Sequence, residues 1–375
     1  MTFYIIGVIL AFFLAFILLT KKGKSQADYI LAFWLSISGF HLFGYYIYLT
    51  GKYLEYPDII PIVAPFPLLQ GPCLYLYTLA NTSPKRLGKI HLLHLVPALV
   101  IYCLFAEFFF LSFSEKVEIT LQEGGRFNYV FTINIIAIYF SGFTYDILSL
   151  VKLLKYRRSM VQQFSNTDKI NFNWLLYLII WIGFIWVIIL FVQSDYVIFG
   201  TAVVFIGWLG YFGIKQVKVF SQPTLSQPIN SDESVLQSEL TDETEELISA
   251  KYQTSNLSVS SADEILQRLQ TAMREEKLFT NPELTLDLLA KQLKVNPNNL
   301  SQVINSKMQK SFYDYINALR IEEFLVQAEL PENRHLTILA ISFDCGFNSK
   351  ASFYRNFKKI KGVTPSEYIS PLKVA

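Results

Sequence analysis

Long apolar runs constrain this chain more than any other feature. Seven follow one another in the first 213 residues, at 2–20, 27–49, 59–80, 90–111, 129–150, 172–193 and 196–213. Each falls in the range of roughly 17–25 residues that crosses a bilayer as a helix. A water-soluble core would have to bury all of them at once, so lipid is the expected cover. The third run carries Pro61, Pro65, Pro67 and Pro72. These would break a soluble helix, but within a membrane neighbouring helices can satisfy the carbonyls that proline frees. Only 17% of the chain is charged, against about a quarter in an ordinary soluble protein. The apolar surplus lies before Val219.

Cations set the expected orientation. Lys21, Lys22 and Lys24 follow the first run, Lys85, Arg86 and Lys89 the third, Lys152, Lys155, Arg157, Arg158 and Lys169 the fifth, and Lys215 and Lys218 the last. The alternate loops hold only Lys52, Lys116 and Arg126, each beside acids. The positive-inside rule then places the odd loops and the tail in the cytoplasm and the N-terminus outside. That arrangement needs an odd number of spans. The first run lacks a preceding basic segment and a small-residue cleavage site, so it reads as a retained span.

Ionisable residues inside spans are functional candidates, here His41, His91, His94, Glu107 and Asp146. His91 and His94 share a helix face, and His41 or Glu107 could add a third metal ligand. The plainer alternative is a set of polar residues near span ends, and no metal or cofactor is expected. The three cysteines, Cys73, Cys103 and Cys345, have no zinc-like spacing and suggest no disulfide framework. No nucleophile–base set, phosphate-binding glycine loop or H-E-x-x-H motif occurs, so no enzyme is expected.

Past the apolar half the character changes. Between Ser221 and Glu264 nine acids face Lys251 alone, among Ser, Thr and Gln. Such a stretch cannot bury enough surface to order itself, and is expected to be a flexible acidic cytoplasmic linker. The expected domains are thus a membrane domain at 1–218, a linker at 219–261 and a helical domain at 262–375.

The last domain reads as two similar units. A helix carrying Ile265, Leu266, Leu269 and Met273 precedes them, and Asn281-Pro282 marks a break and an expected cap. In the first unit Leu286, Leu289, Ala290 and Leu293 recur on one helix face. Asn296 caps and Pro297 opens a second helix. Its Leu300, Val303 and Ile304 point inward, and Asn298, Ser301, Gln302 and Asn305 share the outer face. Amides and hydroxyls are what base-edge reading requires. In the second unit Ile338 and Ile341 lie on a first helix, and Gly346 permits a turn with positive φ. Asn348 or Ser349 caps a second helix with Phe353, Phe357 and Ile360 as its buried stripe. Its Lys350, Ala351, Tyr354 and Arg355 reach outward. Lys358, Lys359 and Lys361 are placed for phosphates. A long amphipathic helix at 312–330 joins the units.

This pattern resembles the AraC/XylS family of bacterial transcription regulators. The matching residues are the first unit, 284–305, Phe312-Tyr313-Asp314-Tyr315-Ile316-Asn317 with Arg320, Gly346-Phe347-Asn348-Ser349-Lys350, Ser352-Phe353 and Phe357-Lys358-Lys359. Gly362-Val363-Thr364-Pro365-Ser366-Glu367-Tyr368 closes the pattern. The chain departs from the family at Ser342, where a small Ala is usual, and at Lys294, where the first turn lacks glycine. The resemblance implies two helices in successive major grooves of double-stranded DNA. It places base-facing positions on Asn298, Ser301, Gln302, Lys350, Ala351, Tyr354 and Arg355. Asn305, Ser349, Lys358 and Lys359 are the expected backbone contacts. Gln70-Gly71-Pro72 with Tyr75 and Tyr77, and His94-Leu95-Val96-Pro97, are similar to membrane-anchored regulators of this family.

The expected fold class is all-α, a seven-helix transmembrane bundle followed by a double helix-turn-helix domain. The expected protein is an inner-membrane transcription regulator. Its partners would be DNA, the lipid bilayer, a second copy of the chain and an unidentified signal ligand. Two alternatives stand beside a sensor role. The membrane half could be a passive anchor or dimerisation module, or it could be a transporter or intramembrane enzyme fused to a regulator.

Overall fold

The computed structural model describes residues 1–83, 85–166, 173–215 and 259–369. The expected linker at 219–261 lies outside them except for its last three residues, as do Lys169 and Lys218. Among the described residues regular structure is entirely helical, with one isolated antiparallel bridge between Phe164 and Thr285. The chain divides into two compact units. The first takes Met1–Leu154 with the segment that starts at Phe172. The second takes the segment from Lys155 together with the C-terminal part.

In the first unit α1 (Thr2–Thr20) and α2 (Gln26–Leu49) pack together, and α4 (Phe66–Thr82) joins α2. A capping box starts α2. The Ser25 side chain accepts from the Asp28 amide, and the Asp28 carboxylate accepts from the Ser25 amide at 2.7 Å. Lys21 pairs with the same carboxylate at 3.0 Å.

The prolines of the third run split it into α3 (Ile59–Val63) and α4, with Pro72 inside α4. Their cost is offset from the long helix α8 (Asn128–Gln163). Asn134 Nδ2 donates to the Ala64 carbonyl at the break, at 2.7 Å. Ser141 Oγ donates at 3.3 Å to the Leu68 carbonyl, which Pro72 deprives of its i+4 amide. Close approach of α8 to its other neighbour needs glycine at Gly142, where a Cβ would lie 2.3 Å from the Trp186 ring.

Among the described residues five helices are long and apolar enough to cross a membrane: Thr2–Thr20, Gln26–Leu49, Ile59–Thr82, Gly125–Gln163 and Asn173–Phe191. The fourth and seventh expected runs form shorter apolar helices, Lys89–Leu104 and Asp195–Tyr211. In the fourth, Pro97 ends a 3-10 turn and opens a fresh helix, α5 (Val96–Leu104), which is followed by the short α6 (Ala106–Phe109). The capped α7 (Phe113–Leu121) then leads to α8, and α9 (Asn173–Phe191) and α10 (Asp195–Lys215) complete the unit. The helices are apolar outside as well as inside. Phe16, Phe140 and Phe191 are 63%, 75% and 77% exposed, while Leu14, Leu74 and Leu178 are buried. Helices apolar all round need lipid or a large core to cover them.

Four of the five candidate ionisable residues of this unit have local partners, whereas Asp146 Oδ1 is buried with no hydrogen-bond partner among the described residues. Glu107 pairs with Arg126 at 2.7 Å, and the His41 ring lies 4.9 Å from that of Phe199. His94 Nδ1 lies 2.8 Å from the Tyr145 hydroxyl, and the His91 ring stacks at 6.2 Å. Among the described residues no group of three His, Cys, Asp or Glu is placed to hold a metal.

The second unit contains residues 155–166, α11 (Val259–Glu275), α12 (Leu286–Leu293), α13 (Pro297–Met308), α14 (Phe312–Glu329), α15 (Ile338–Asp344), α16 (Lys350–Lys361) and α17 (Pro365–Ile369). Two small cores form along α14. Its Phe312, Tyr315 and Ile316 close the core of α11, α12 and α13, and its Ile321 and Phe324 close that of α15 and α16. A single rigid helix therefore fixes the spacing of two helix pairs.

Candidate nucleic-acid interface

Local rules dictate each pair. Thr285 caps α12 by accepting from the Leu288 amide at 3.2 Å. Asn281, the expected cap, instead accepts from the Glu283 amide at 2.9 Å and shapes the turn before it. Lys294 ends α12 at φ 56°, a left-handed conformation that glycine would hold with less strain. Asn296 caps α13 through the Asn298 amide at 2.8 Å, with Pro297 in the first turn. Leu300, Val303 and Ile304 are each 0% exposed. Asn298 is exposed, and Ser301, Gln302 and Asn305 are half-buried on the outer side. Asn305 Nδ2 donates to Ser301 Oγ at 3.3 Å, which ties two members of that face together.

In the second pair Thr337 caps α15 through the Ala340 amide. Ser342 packs fully buried and donates to the Leu339 carbonyl at 2.7 Å, so its hydroxyl is satisfied where the family usually has Ala. Gly346 turns the chain at φ 98°, and a Cβ there would lie 2.7 Å from the carbonyls of Phe279 and Thr280. Ser349 caps α16 through the Ser352 amide at 3.1 Å. Phe353 and Phe357 are buried, but Ile360 is 42% exposed and leaves the expected stripe. The Tyr368 ring, 5.6 Å from Phe357, and the buried Ile369 close that end of the core from α17 instead.

On the outer side of α16, Lys350, Ala351 and Arg355 are exposed and Tyr354 is half-buried. Lys350 Nζ sits 5.3 Å over the Tyr354 ring. Arg355 donates to the Tyr313 hydroxyl at 3.3 Å. Lys358 and Lys361 are exposed, whereas Lys359 is paired with Asp314 at 2.7 Å.

Beneath both pairs lies Arg320, 1% exposed. Its Nε donates to the Phe279 carbonyl at 2.7 Å, and one terminal nitrogen donates to the Asn281 carbonyl at 2.8 Å. Among the described residues it pairs with no carboxylate. Burial lowers its pKa to about 10, so it stays charged at neutral pH. Its remaining acceptors are Asn317 Oδ1 and Ser165. No sequence signal marks Ser165, which lies 155 positions earlier in the chain.

Two capped helix pairs hung on one connecting helix define a double helix-turn-helix domain. Residues 289–370 match the family model described as "Helix-turn-helix domain". Over 86 residues the chain is 34% identical to an uncharacterized HTH-type transcriptional regulator, YtdP, of Bacillus subtilis, covering 23% of this chain and 11% of that protein. It is 34% identical over 85 residues to the melibiose operon regulatory protein of Escherichia coli, covering 23% and 27%. It is 30% identical over 90 residues to the uncharacterized transcriptional regulatory protein YesN of Bacillus subtilis, covering 24% of each chain. The chain thus spans between about a tenth and about a quarter of the length of these relatives. No solved structure matches it. The C-terminal domain is of the AraC type, and it follows a helical region of long apolar helices.

Proposed function

We propose that this chain is a membrane-held, sequence-specific transcription regulator. In this reading the first unit crosses the inner membrane seven times, with the N-terminus outside and the double helix-turn-helix domain in the cytoplasm. A signal received by the membrane domain alters how that domain is presented to DNA. The observation that carries the reading is the pair of outward faces, amides and hydroxyls on α13 and Lys350, Tyr354 and Arg355 on α16, held at fixed spacing by α14. Asn298, Ser301 and Gln302 on one helix and Lys350, Ala351, Tyr354 and Arg355 on the other would meet base edges, since amides and guanidinium groups make two-point contacts there. Asn305, Ser349, Lys358 and Lys359 would hold the phosphates.

The test is genome-wide mapping of sites bound by the full-length protein, followed by binding of the solubilised chain to a mapped site and to scrambled DNA. A strong preference for the mapped sequence is expected. Equal binding to both would overturn the reading.

A further inference from the structure

The second unit contains a contact that the DNA-reading role does not need. The helix α8 runs unbroken to Gln163, and the next residues lie on the helix-turn-helix domain. Phe164 pairs in antiparallel fashion with Thr285, the cap of α12. Ser165 is 1% exposed. Its hydroxyl donates to the Leu284 carbonyl at 2.6 Å and accepts from Arg320 at 3.2 Å. Its carbonyl accepts from Asn317 Nδ2 at 3.0 Å and from Arg320 at 3.4 Å.

We propose that residues 164–166 form a latch whose seat is built by Leu284, Thr285, Asn317 and Arg320, and that engagement or release of this latch carries the state of the membrane domain to the DNA reader. The proposal rests on the regulator reading given above.

Two arguments support it. First, the seat survives release. Arg320 keeps its bonds to Phe279, Asn281 and Asn317 when Ser165 leaves, and water can replace the lost acceptors. A buried cation with no other acceptor would instead make the contact permanent. Second, the latch is joined directly to a spanning element. At 1.5 Å per residue, α8 is about 54 Å long, well beyond a hydrocarbon core of about 30 Å. Displacement of its membrane part would reach Phe164 along this one helix. The latch grips the start of α12 and the middle of α14, and none of its four seat residues belongs to the expected base-facing set.

The experiment uses the full chain in native membranes. Phe164→Cys with Thr285→Cys is made in a protein carrying a protease site within 219–258. Antiparallel bridge partners have Cα atoms about 4.5–5.5 Å apart, within disulfide range. After oxidation and cutting, the two fragments are expected to run as one band without reductant. Separate bands would overturn the proposal.

Ser165→Arg then sets a bulky cation against Arg320 in the full chain. Occupancy of a mapped site in cells is expected to change by about five-fold or more, the low end of allosteric coupling. The preference of the solubilised protein for that site over scrambled DNA is expected to be retained. Unchanged occupancy would reduce the contact to a structural one and overturn the latch, leaving the regulator reading intact. Loss of preference among DNA sequences in the wild type itself would sink the regulator reading first. If Ser165→Arg fails to accumulate, Ser165→Ala, which removes only the two hydroxyl bonds, is read in the same assays with the same outcomes.

Discussion

At the residue scale the outer faces are proposed to divide into base readers and phosphate holders. Gln302 and Tyr354 belong to the expected base readers, so Gln302→Ala or Tyr354→Ala should cost about 1–3 kcal/mol on the preferred site and much less on random DNA. Competition binding with single-base variants of a mapped site measures this, and equal losses on both DNAs would reject the roles. Lys358 and Lys359 should act without regard to sequence, but not equally. Lys359 is paired with Asp314 at 2.7 Å while Lys358 is exposed. Lys358→Ala should lower the slope of log affinity against log salt by about 0.9, and Lys359→Ala by less. Asp314→Asn should release Lys359 and raise binding to all sequences. The exposed polar faces were legible in the sequence because caps and apolar period fix which side of a helix is out. The pairing of Lys359 was not, since Asp314 lies 45 positions away. The same holds for Arg320, whose partners arrive from three separate segments.

At the element scale, local chemistry accounts for most boundaries. Pro297, Gly346 and the caps Asn296 and Ser349 stand where periodicity places them. Two expectations failed, the first through local turn chemistry and the second through packing of the last helix. Asn281 yields its capping role to Thr285, and Ile360 yields its core place to residues of α17. Lys294 holds a strained φ of 56°, so Lys294→Gly should stabilise the full chain by about 1 kcal/mol. Chemical denaturation followed by signals of the helix-turn-helix domain would show it, and a loss of stability would mean that the lysine side chain outweighs its backbone strain. In the apolar half the broken third run depends on α8. Removing Asn134 or Ser141 strands a carbonyl, at a cost of about 0.6–2 kcal/mol in an apolar setting. Asn134→Leu should lower thermal stability in detergent more than Ser141→Ala, because its bond is 2.7 Å rather than 3.3 Å. The prolines could be read from the sequence, but the side chains that accommodate them could not, because they come from 70 or more positions away.

At the scale of the whole molecule, the order of apolar and polar halves was plain from the sequence, while the number of crossings was not. Hydropathy gives seven runs, yet five helices have the full length and two are shorter. In the proposed reading charge favours the larger count. With cations after the first, third, fifth and last runs, seven crossings keep Lys21, Arg86, Arg158 and Lys215 on one side. If the two short helices did not cross, the fifth run would reverse, and Lys152, Lys155, Arg157 and Arg158 would face outward. The tail after Lys215 would still lie inside, but residues 155–166, which belong to the same compact unit as the C-terminal helices, would be left outside. Reporter fusions after Lys24, Thr50, Lys89, Glu123, Arg158 and Lys215 separate these arrangements. Cytoplasmic signals are expected after Lys24, Lys89, Arg158 and Lys215, and external signals after Thr50 and Glu123. A cytoplasmic signal after Glu123 would remove the fourth crossing, and an external one after Lys215 would remove the seventh. The second result would also part the reader from DNA and end the regulator reading. With the predicted pattern in hand, replacing residues 1–218 by an unrelated anchor of the same orientation tests what the bundle adds. A sensor should lose its response to changing conditions, whereas a passive anchor should keep it.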